Sequence, residues 1–553
     1  MRVLQGLVAL GCVLCAPVCA REPVRAKQGM VVAQEPLAVD VGLRVLKNGG
    51  NAVDAAVAVG FALAVTHPQA GNIGGGGFML IRFADGRSTF LDFRERAPGK
   101  ATRTMYQDAS GNVTKASVEG WTSAGVPGTV RGFEYAHSKY GSRKWAELIG
   151  PAAALARNGF EVSYGLADSI KGSPKLPQSA ESKRIFLGVR PGDTLRQPEL
   201  ARVLGRIARL GAKDFYEGET ARVLAAEMAR NGGLITLADL KDYAVVERAP
   251  LTGTYKGYGI VTAPPPSSGG VGLLQMLGML DGSGYEKSGA GSAGSIHYVA
   301  ETMRRFFADR SRYLGDPAFS SLRVAELLAP AYVRQRAASI QADRATPSAS
   351  LLPGLPEPER GGQTTHYNVV DAAGNAVAVT YTLNDRYGNG ITVPGLGFLL
   401  NDEMDDFTSK PGAPNAFGLI QGEVNAIAPG KRPLSSMTPT IVTRDGQFFM
   451  ALGAPGGARI ITAVLQVLLN VVDFRMNAKD AVDAPRFHHQ WQPDVLSLDP
   501  GISPDTAALL RTMGYTLDDS PGWVPAQVNA IVKEGGWLQG ASDDRAGGKA
   551  AGY

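Results

Sequence analysis

The sequence predicts a globular protein in which α-helices cover β-sheets. Residues 51–68, NAVDAAVAVGFALAVTHP, are almost entirely apolar, which is typical of a helix buried on all sides. Residues 78–93 contain two apolar strand patterns, FMLIRF and STFLDF, joined by the turn ADGR, and so predict a β-hairpin. Residues 365–384 read as strand, turn and strand, and residues 447–474 as a strand, a glycine turn and a long buried helix.

Length and composition agree with a folded protein that has a large core. The chain has 553 residues, of which 44% are hydrophobic and 19% charged. Its formal net charge is only +5, and no run of Lys and Arg or basic–aromatic stripe occurs. We therefore expect no nucleic-acid partner.

The first twenty residues, MRVLQGLVALGCVLCAPVCA, have the pattern of a secretory signal peptide. A positive charge at Arg2 precedes an apolar run, and small residues lead to a predicted cleavage after Ala20. Two alternatives are a membrane anchor, for which the run is short, and a lipoprotein signal, whose lipidation box fits poorly. We expect an exported protein, periplasmic in a Gram-negative host, with no membrane segment once the signal is removed.

The residues that remain after export restrict the chemistry. All three cysteines lie within the first twenty residues, which excludes disulfides and a cysteine nucleophile from the mature chain. There is no G-x-S-x-G elbow, and none of the six histidines has the spacing of zinc ligands. The adjacent pair His488 and His489 would point in different directions, which favours a structural role. We expect neither a metal nor an organic cofactor.

The glycine run at residues 74–77 resembles a phosphate loop only superficially. Phosphate loops follow a strand and open a helix, whereas this run precedes a strand, so close backbone packing is the favoured interpretation.

Three further segments have clear patterns. Residues 140–250 are predicted to be mainly helical, and residues 264–280 to form a rigid turn followed by a Ser/Gly-capped apolar helix. Residues 345–362 are rich in Pro, Ser and Gly, and predict an exposed, mobile loop.

That loop ends at two threonines, Thr364 and Thr365, which begin a strand pattern. An N-terminal threonine carries its own general base, because its free α-amino group has a pKa of about 7.7–8.0. Internal cleavage before Thr364 would create such a residue. The residues alone leave two alternatives open, namely a nucleophile and an ordinary threonine at the start of a strand.

The segment QTTHYNVVDAAGNAVAVTYTLN closely resembles the processing and nucleophile segment of γ-glutamyltranspeptidases. The resemblance extends over the mature chain in the family's order, through GGNAVDAAVAVGFALAVTHPQAGNIGGGGFMLI, LDFRERAP, APPPSSGG, NDEMDDF, KRPLSSMTPTIV, GAPGGARIITAVLQ, APRFHHQW and AAGY. It implies an α+β fold of the N-terminal-nucleophile hydrolase type, a four-layer αββα sandwich. It also implies a precursor that cuts itself into a large subunit, residues 21–363, and a small subunit, residues 364–553, which together form one interleaved domain.

The resemblance assigns the groups that would carry out the reaction. Thr364 matches the nucleophile, so cleavage is expected between Gln363 and Thr364. Thr382 matches a residue that hydrogen-bonds the nucleophile and assists processing. Gly456 and Gly457 match the oxyanion hole, where glycine leaves room for backbone N–H groups to approach the developing charge.

A second set of residues matches the site for the free amino-acid end of a γ-glutamyl donor. Arg94 corresponds to the carboxylate-binding arginine, and a guanidinium suits a planar, bidentate partner. Its hydroxyl partners correspond to Ser435 and Ser436. The ammonium-binding group corresponds to Asn384, Glu403 and Asp406.

Two positions differ among members of the family. Position 403 is Glu here and Gln in some bacterial members. Phe417, in a segment that resembles the lid over the donor pocket, stands where some bacterial members have a gating Tyr. A Phe covers the pocket by packing but lacks the hydroxyl, which implies looser closure of the lid.

The resemblance implies transfer of the γ-glutamyl group of glutathione and related compounds, through a threonine ester, to water or to amino-acid and dipeptide acceptors. One alternative is a glutaryl-type (cephalosporin) acylase, and another is a poly-γ-glutamate depolymerase. The third is an exported binding protein that keeps the scaffold without catalysis.

Overall fold

The computed structural model describes residues 21–354, 365–416, 418–419, 423–520, 523 and 525–553. The predicted signal peptide, Gln363, Thr364 and the predicted lid residue Phe417 lie outside the described residues.

The strands of the described chain range from two to seven residues. They are β1 (Val24–Ala26), β2 (Met30–Ala33), β3 (Gly76–Arg82), β4 (Ser88–Phe93), β5 (Phe160–Glu161), β6 (Thr194–Leu195), β7 (Val246–Arg248), β8 (Leu251–Tyr255), β9 (Tyr258–Thr262), β10 (Thr365–Val370), β11 (Ala376–Thr382), β12 (Thr440–Arg444), β13 (Gln447–Gly453), β14 (Phe487–His488), β15 (Leu496–Leu498), β16 (Leu517–Asp518), β17 (Asn529–Glu534), β18 (Trp537–Ser542) and β19 (Lys549–Gly552).

The helices of the described chain fall into two groups along the sequence, one before β7 and one after β9. They are α1 (Pro36–Lys47), α2 (Ala52–Thr66), α3 (Thr129–Tyr140), α4 (Trp145–Asn158), α5 (Tyr164–Lys171), α6 (Ala180–Phe186), α7 (Pro198–Leu210), α8 (Lys213–Glu217), α9 (Glu219–Arg230), α10 (Leu237–Lys241), α11 (Gly269–Leu280), α12 (Ala293–Tyr313), α13 (Val324–Leu327), α14 (Pro330–Ala338), α15 (Arg459–Val472), α16 (Ala478–Asp483) and α17 (Pro504–Thr512).

Two seven-stranded sheets form the centre of the fold. The front sheet has the order β1-β18-β17-β13-β12-β9-β8, and the back sheet has the order β19-β2-β10-β11-β3-β4-β7. Neighbouring strands in both sheets are antiparallel. Each sheet thus carries one face toward its partner and the other toward helices.

Three apolar cores separate four layers. Helices α1 to α3 pack on the outer face of the back sheet, and α4 packs on α2 and α7 within the same core. Residues such as Val32, Leu80, Ile441 and Ile531 fill the space between the two sheets. Helices α11, α12, α15 and α16 pack on the outer face of the front sheet. The described chain is therefore an αββα sandwich, as predicted.

Helix α2 confirms the prediction of a fully buried apolar helix. All of its residues are buried, and its first turn is closed by a capping box between Asn51 and Asp54. The predicted hairpin is β3 and β4, with Met79 opposite Leu91. Strands β3 and β4 belong to the back sheet, which carries the candidate site, and α2 packs on that sheet.

Both sheets interleave strands from the two sides of the predicted cleavage point. In the back sheet, β2 lies between β10 and β19, and β3 lies beside β11. In the front sheet, β9 lies beside β12. The segment before residue 355 and the segment after residue 364 thus share one pair of sheets.

Two sequence predictions need correction. Helix α11 begins after Ser268 as expected, but the Ser268 hydroxyl does not cap it and instead donates to the Ser435 carbonyl oxygen at 2.8 Å. Residues 345–354 are exposed in part, as predicted, but polar groups of α12 hold them in place. The Ser348 hydroxyl accepts from Arg304 at 2.6 Å, and the Gly354 N–H donates to Asp309 at 3.0 Å.

Within the part of the chain that the structure describes, no helix is both long enough and apolar enough to cross a membrane.

Candidate active site

The glycine run at residues 74–77 leaves room for neighbouring backbone, as predicted. A Cβ atom on Gly75 would collide with the carbonyl oxygen of Thr382, and one on Gly77 with that of Thr380. A Cβ atom on Gly76 would lie 2.7 Å from a carboxylate oxygen of Glu95. The run therefore brings β3 close to the end of β11, where a predicted site residue lies.

Strands β10 and β11 place two threonine side chains at one end of the back sheet. Thr365, the first residue of β10, is buried and donates its hydroxyl hydrogen to Gln34 Oε1 at 2.7 Å. Its neighbour across the ladder is Tyr381, so Thr382 is the next residue along β11. The hydroxyl of Thr382 accepts a hydrogen bond from the Asn384 N–H at 2.8 Å.

These residues meet at a cleft of about 610 Å³. Its walls include Thr382 and Asn384 from the end of β11, Gly456 from the loop after β13, and Gln34 from the end of β2. The predicted site residues Thr382, Asn384 and Gly456 therefore share one opening with Gln34, which anchors Thr365. A volume of this size is typical of a small-molecule site.

Gly456 and Gly457 form a turn directly before α15. Their φ angles are 131° and 64°, a region that favours glycine. A Cβ atom on Gly456 would also lie only 2.6 Å from the Cβ of Ala526. The turn places backbone N–H groups beside the N-terminus of a 14-residue helix, where the helix dipole favours negative charge.

The second predicted set forms a buried ion cluster around Arg94. The guanidinium of Arg94 bonds to Glu403 through Nη1 and to Asp406 through Nη2, and Glu95 Oε2 lies 3.6 Å from Nη1. Arg94 Nε also donates to the carbonyl oxygen of Pro433 at 3.2 Å. All four charged side chains are fully buried.

The cluster contains more carboxylates than guanidinium groups, and the pKa values show the consequence. Burial raises the pKa of Glu95 to about 7 and that of Asp406 to about 6, and it raises the pKa of Glu403 well above its usual range. The charge of Arg94 opposes each of these shifts without cancelling it. These carboxyl groups therefore hold protons more readily than exposed carboxyl groups do.

Ser435 and Ser436 follow a segment without regular secondary structure whose carbonyl groups face Arg94. Arg94 Nη2 lies 3.4 Å from the carbonyl oxygen of Leu434, the residue before Ser435. The Ser436 hydroxyl accepts from Arg310 Nη2 at 2.9 Å, and the Ser435 hydroxyl accepts from the Met437 N–H at 3.1 Å. Ser435 thus directly follows a residue that contacts the ion cluster. The hydroxyl groups of both serines are held by hydrogen bonds.

Asn384 links the ion cluster to the cleft. Its side-chain amide donates to the carbonyl oxygen of Asp402 at 3.0 Å, and Asp402 precedes Glu403. Asn384 has a φ of 76°, which asparagine tolerates better than most residues. Asn384 is thus the contact between the two predicted sets. The cleft itself is not lined by the rest of the second set, Arg94, Glu403, Asp406, Ser435 and Ser436, or by Gly457.

The model of the gamma-glutamyltranspeptidase family matches residues 38–553. The chain belongs to the gamma-glutamyltranspeptidase family. The glutathione hydrolase proenzyme of Escherichia coli (strain K12) is 50% identical over 530 residues, which cover 95% of this chain and 91% of that protein. That of Pseudomonas sp. (strain A14) is 52% identical over 503 residues, or 90% and 87% of the two chains.

A solved structure of a related protein has the same overall fold. The cephalosporin acylase from Bacillus halodurans superposes with a TM-score of 0.85 at 27% identity, and each chain is covered to 99%. The predictions of a gamma-glutamyltranspeptidase relative and of its αββα sandwich are both confirmed. Since an acylase shares this sandwich, the side chains of the site must distinguish the substrates.

Sequence reasoning within the family pattern missed three residues of the site. Glu95 has both carboxylate oxygens buried without a hydrogen-bond partner among the described residues, and its signal was its place after Arg94 in DFRERAP. Arg310 is one of several charged residues of α12, so its pattern did not distinguish it. Gln34, which holds Thr365, had no distinguishing signal in the sequence.

The predicted structural role of His488 and His489 agrees with their contacts. His488 Nδ1 bonds to the hydroxyl of Thr462 at 2.9 Å, and His489 Nε2 lies 3.2 Å from Asp494. Burial lowers their pKa values to about 3 and about 4. No group of three or more potential metal ligands occurs among the described residues.

Proposed function

We propose that the chain is the precursor of a self-processing glutathione hydrolase and γ-glutamyltransferase. Thr364, exposed as a new N-terminus by cleavage after Gln363, would be its nucleophile. The observation that carries the proposal is the cleft in which Thr382, Asn384 and Gly456 meet.

The residue that follows the proposed nucleophile in sequence is Thr365. It opens β10, lies opposite Tyr381, and is held by Gln34 in the wall of the cleft. These contacts of Thr365 support a reaction at the residue before it. In self-cleavage, the Thr364 hydroxyl attacks the carbonyl carbon of Gln363. The C–N bond breaks, the amine takes a proton, and water hydrolyses the resulting ester.

Recognition of the donor follows from the charge of the ion cluster. The α-carboxylate of a γ-glutamyl donor suits the guanidinium of Arg94 and the hydroxyls of Ser435 and Ser436. Its α-ammonium suits Glu403 and Asp406, because carboxylate oxygens accept hydrogen bonds from a cation with three donors.

The reaction then proceeds in two acyl-transfer steps. The Thr364 hydroxyl attacks the γ-amide carbon while its own α-amine accepts the proton. The N–H groups at Gly456 and Gly457 stabilise the tetrahedral oxyanion. The amine leaves with that proton, and a γ-glutamyl ester remains on Thr364. Water releases glutamate, or the amino group of an acceptor amino acid or dipeptide forms a new amide.

A glutaryl-type acylase shares the fold, and the acidic cluster separates the two functions. A glutaryl group has no α-ammonium, so Glu403 and Asp406 would remain without a cationic partner from the substrate. The excess of buried carboxylates around Arg94 therefore favours a γ-glutamyl donor.

The test begins with a denaturing gel and N-terminal sequencing of the purified protein. We expect two fragments, the smaller beginning TTHYNVV, and a single uncut chain for Thr364→Ala. Hydrolysis of γ-glutamyl and glutaryl anilides is then compared, and we expect the γ-glutamyl compound to react faster. Cleavage of the Thr364→Ala variant at the same bond would rule out the nucleophile. An intact wild-type chain without activity would favour a binding protein.

The proposed location is outside the cytoplasm, with the two fragments retained as one folded unit. The signal-peptide pattern of residues 1–20 supports export. Sequencing the N-terminus of the larger fragment tests this, and we expect it to begin at Arg21.

A further inference from the structure

The cleft beside Gly456 has a positively charged outer wall that the proposed reaction does not use. The wall consists of Arg386, two residues after Asn384, and Arg459, two residues after Gly457. Both side chains line the same opening as Thr382 and Gly456. We call this pair the arginine wall.

The charge of Arg386 is not balanced by the protein. Its side chain is exposed and forms no hydrogen bond or ion pair with the described residues. The carboxylate of the preceding residue, Asp385, is held by Lys175 at 3.0 Å. Glu35, also in the cleft, accepts instead from the Ala38 N–H at 3.0 Å as the N-cap of α1.

The cleft is lined by as many acidic as basic side chains, namely Glu35, Glu161 and Asp385 against Arg386, Arg459 and Arg545, so the positive charge is local to the arginine wall. Arg545 is paired with Asp543 at 3.0 Å and Asp499 at 2.8 Å. Glu161 lines the cleft but forms no ion pair within the described chain. The field of Arg386 contributes, after burial, to lowering the pKa of Arg459 and to lowering that of His67 to about 4. The arginine wall is therefore a place where an anion would relieve repulsion between like charges.

The geometry indicates which half of a substrate reaches this wall. In the proposed reaction, the glutamyl half lies toward Asn384 and the ion cluster, with the amide at Gly456. The amine half must then extend into the rest of the cleft. A dipeptide spans about 7 Å, and the cleft of about 610 Å³ holds one readily.

We propose that the arginine wall, chiefly Arg386, is a subsite for the carboxylate at the far end of the amine half. This inference rests on the proposed function. It assigns one site to two molecules of the same chemistry, namely the dipeptide that leaves from the donor and the dipeptide that enters as acceptor. Guanidinium groups are suited to carboxylates because they donate two parallel hydrogen bonds.

The experiment measures a selectivity ratio, which does not depend on how much of each preparation is processed. The donor arm compares kcat/KM for glutathione with kcat/KM for glutathione whose glycine carboxyl is amidated. The acceptor arm compares the rate of transfer to glycylglycine with the rate of transfer to glycylglycinamide, at a fixed concentration of γ-glutamyl-p-nitroanilide. We expect Arg386→Ala to lower both ratios about two- to fivefold, as is typical of an exposed charge pair.

Further variants separate charge from structure. Arg386→Lys should keep most of the selectivity, and Arg386→Glu should lower both ratios more than Arg386→Ala. Arg511→Ala removes an exposed arginine that pairs with Asp519 away from the cleft, and it should leave both ratios unchanged. Added salt should lower the wild-type ratios, since exposed charges are screened.

The outcomes distinguish this inference from the proposed function. Unchanged ratios for Arg386→Ala and Arg386→Glu, in a protein that cleaves both glutathione compounds, would overturn the subsite alone. A change in only one arm would overturn the assignment of one site to both dipeptides. A wild-type protein that releases glutamate from neither compound would overturn both proposals.

Discussion

At the scale of single residues, Glu95 shows how the buried ion cluster lowers the free energy of unfolding of the unliganded protein at high pH. Burial raises its pKa to about 7, whereas an unfolded glutamic acid titrates near 4.3. Between these values the folded chain keeps a proton that the unfolded chain releases. The free energy of unfolding therefore falls as pH rises through this window, and the loss is complete above about pH 7.

We predict that Glu95→Gln reduces this loss of stability at high pH. The substitution keeps the size of the side chain but removes one of three crowded carboxylates. Urea unfolding at pH 5 and pH 8, with Thr364→Ala as the background so that the chain stays in one piece, measures the effect. The midpoint should fall less between the two pH values for Glu95→Gln than for the parent. Glu217→Gln, at an exposed position, should behave as the parent.

A fall of equal size in Glu95→Gln and its parent would show that Glu95 does not titrate in this window. The residue also shows a limit of sequence reasoning. The motif DFRE and the motif NDEMDD are each visible, but Arg94 and Glu403 are 309 positions apart. Nothing in either motif states that three carboxylates share one guanidinium, because that follows from packing in three dimensions.

At the scale of elements, helix α2 holds the strand on which the proposed nucleophile depends. Gly60 lies under Phe133 and Tyr367, and the Tyr367 hydroxyl donates to the Ala56 carbonyl oxygen at 2.8 Å. Tyr367 belongs to β10. The helix therefore fixes the height of β10 above the core through a position that has no space for a side chain.

We predict that Gly60→Ala lowers the free energy of unfolding by about 1–3 kcal/mol, the usual cost of overpacking. A Cβ atom there would collide with the ring of Phe133 and lie 2.8 Å from the Tyr367 hydroxyl. Gly205→Ala, in the middle of α7, is the matched control, since its nearest atom would be 3.5 Å away on a flexible Arg209. It should raise stability by about 0.5–1 kcal/mol. Equal effects of the two substitutions would contradict the role of Gly60.

Element types were largely predictable because their patterns are local. The apolar run of α2, the β3–β4 hairpin, and the strand and helix around Gly456 all follow from periodicity and turn residues. Residues 345–354 were not predictable in this way. Their composition indicates a loop, but Arg304 and Asp309 of α12 supply the hydrogen bonds that hold it, and these partners lie far away in sequence.

At the scale of the whole molecule, the two sheets join the segments on either side of the proposed cleavage point. Strands β2 and β3 pair with β10 and β11, and β9 pairs with β12. Neither segment can keep both sheets intact without the other. The order of strands is a property that composition and periodicity do not specify, so the interleaving was expected only from the resemblance to a known family.

We predict that the cleaved fragments stay together in native buffer and separate only on unfolding. Size-exclusion chromatography should show one peak that contains both fragments. The midpoint of unfolding should rise with protein concentration for the cleaved protein, because unfolding then releases two chains. It should not change for the uncut Thr364→Ala variant. Fragments that elute separately without denaturant would contradict this expectation.

The position of β2 in the back sheet has a consequence for how the protein is made. Strand β2 is synthesised early. Its two neighbours in the sheet are β10 and β19, and β19 (Lys549–Gly552) is synthesised more than 500 residues later. The back sheet therefore cannot be completed until β19 has been synthesised, since pairing between distant segments waits for both to exist. Until then β2 lacks its neighbour on one side, and the backbone N–H and C=O groups on that edge stay unpaired.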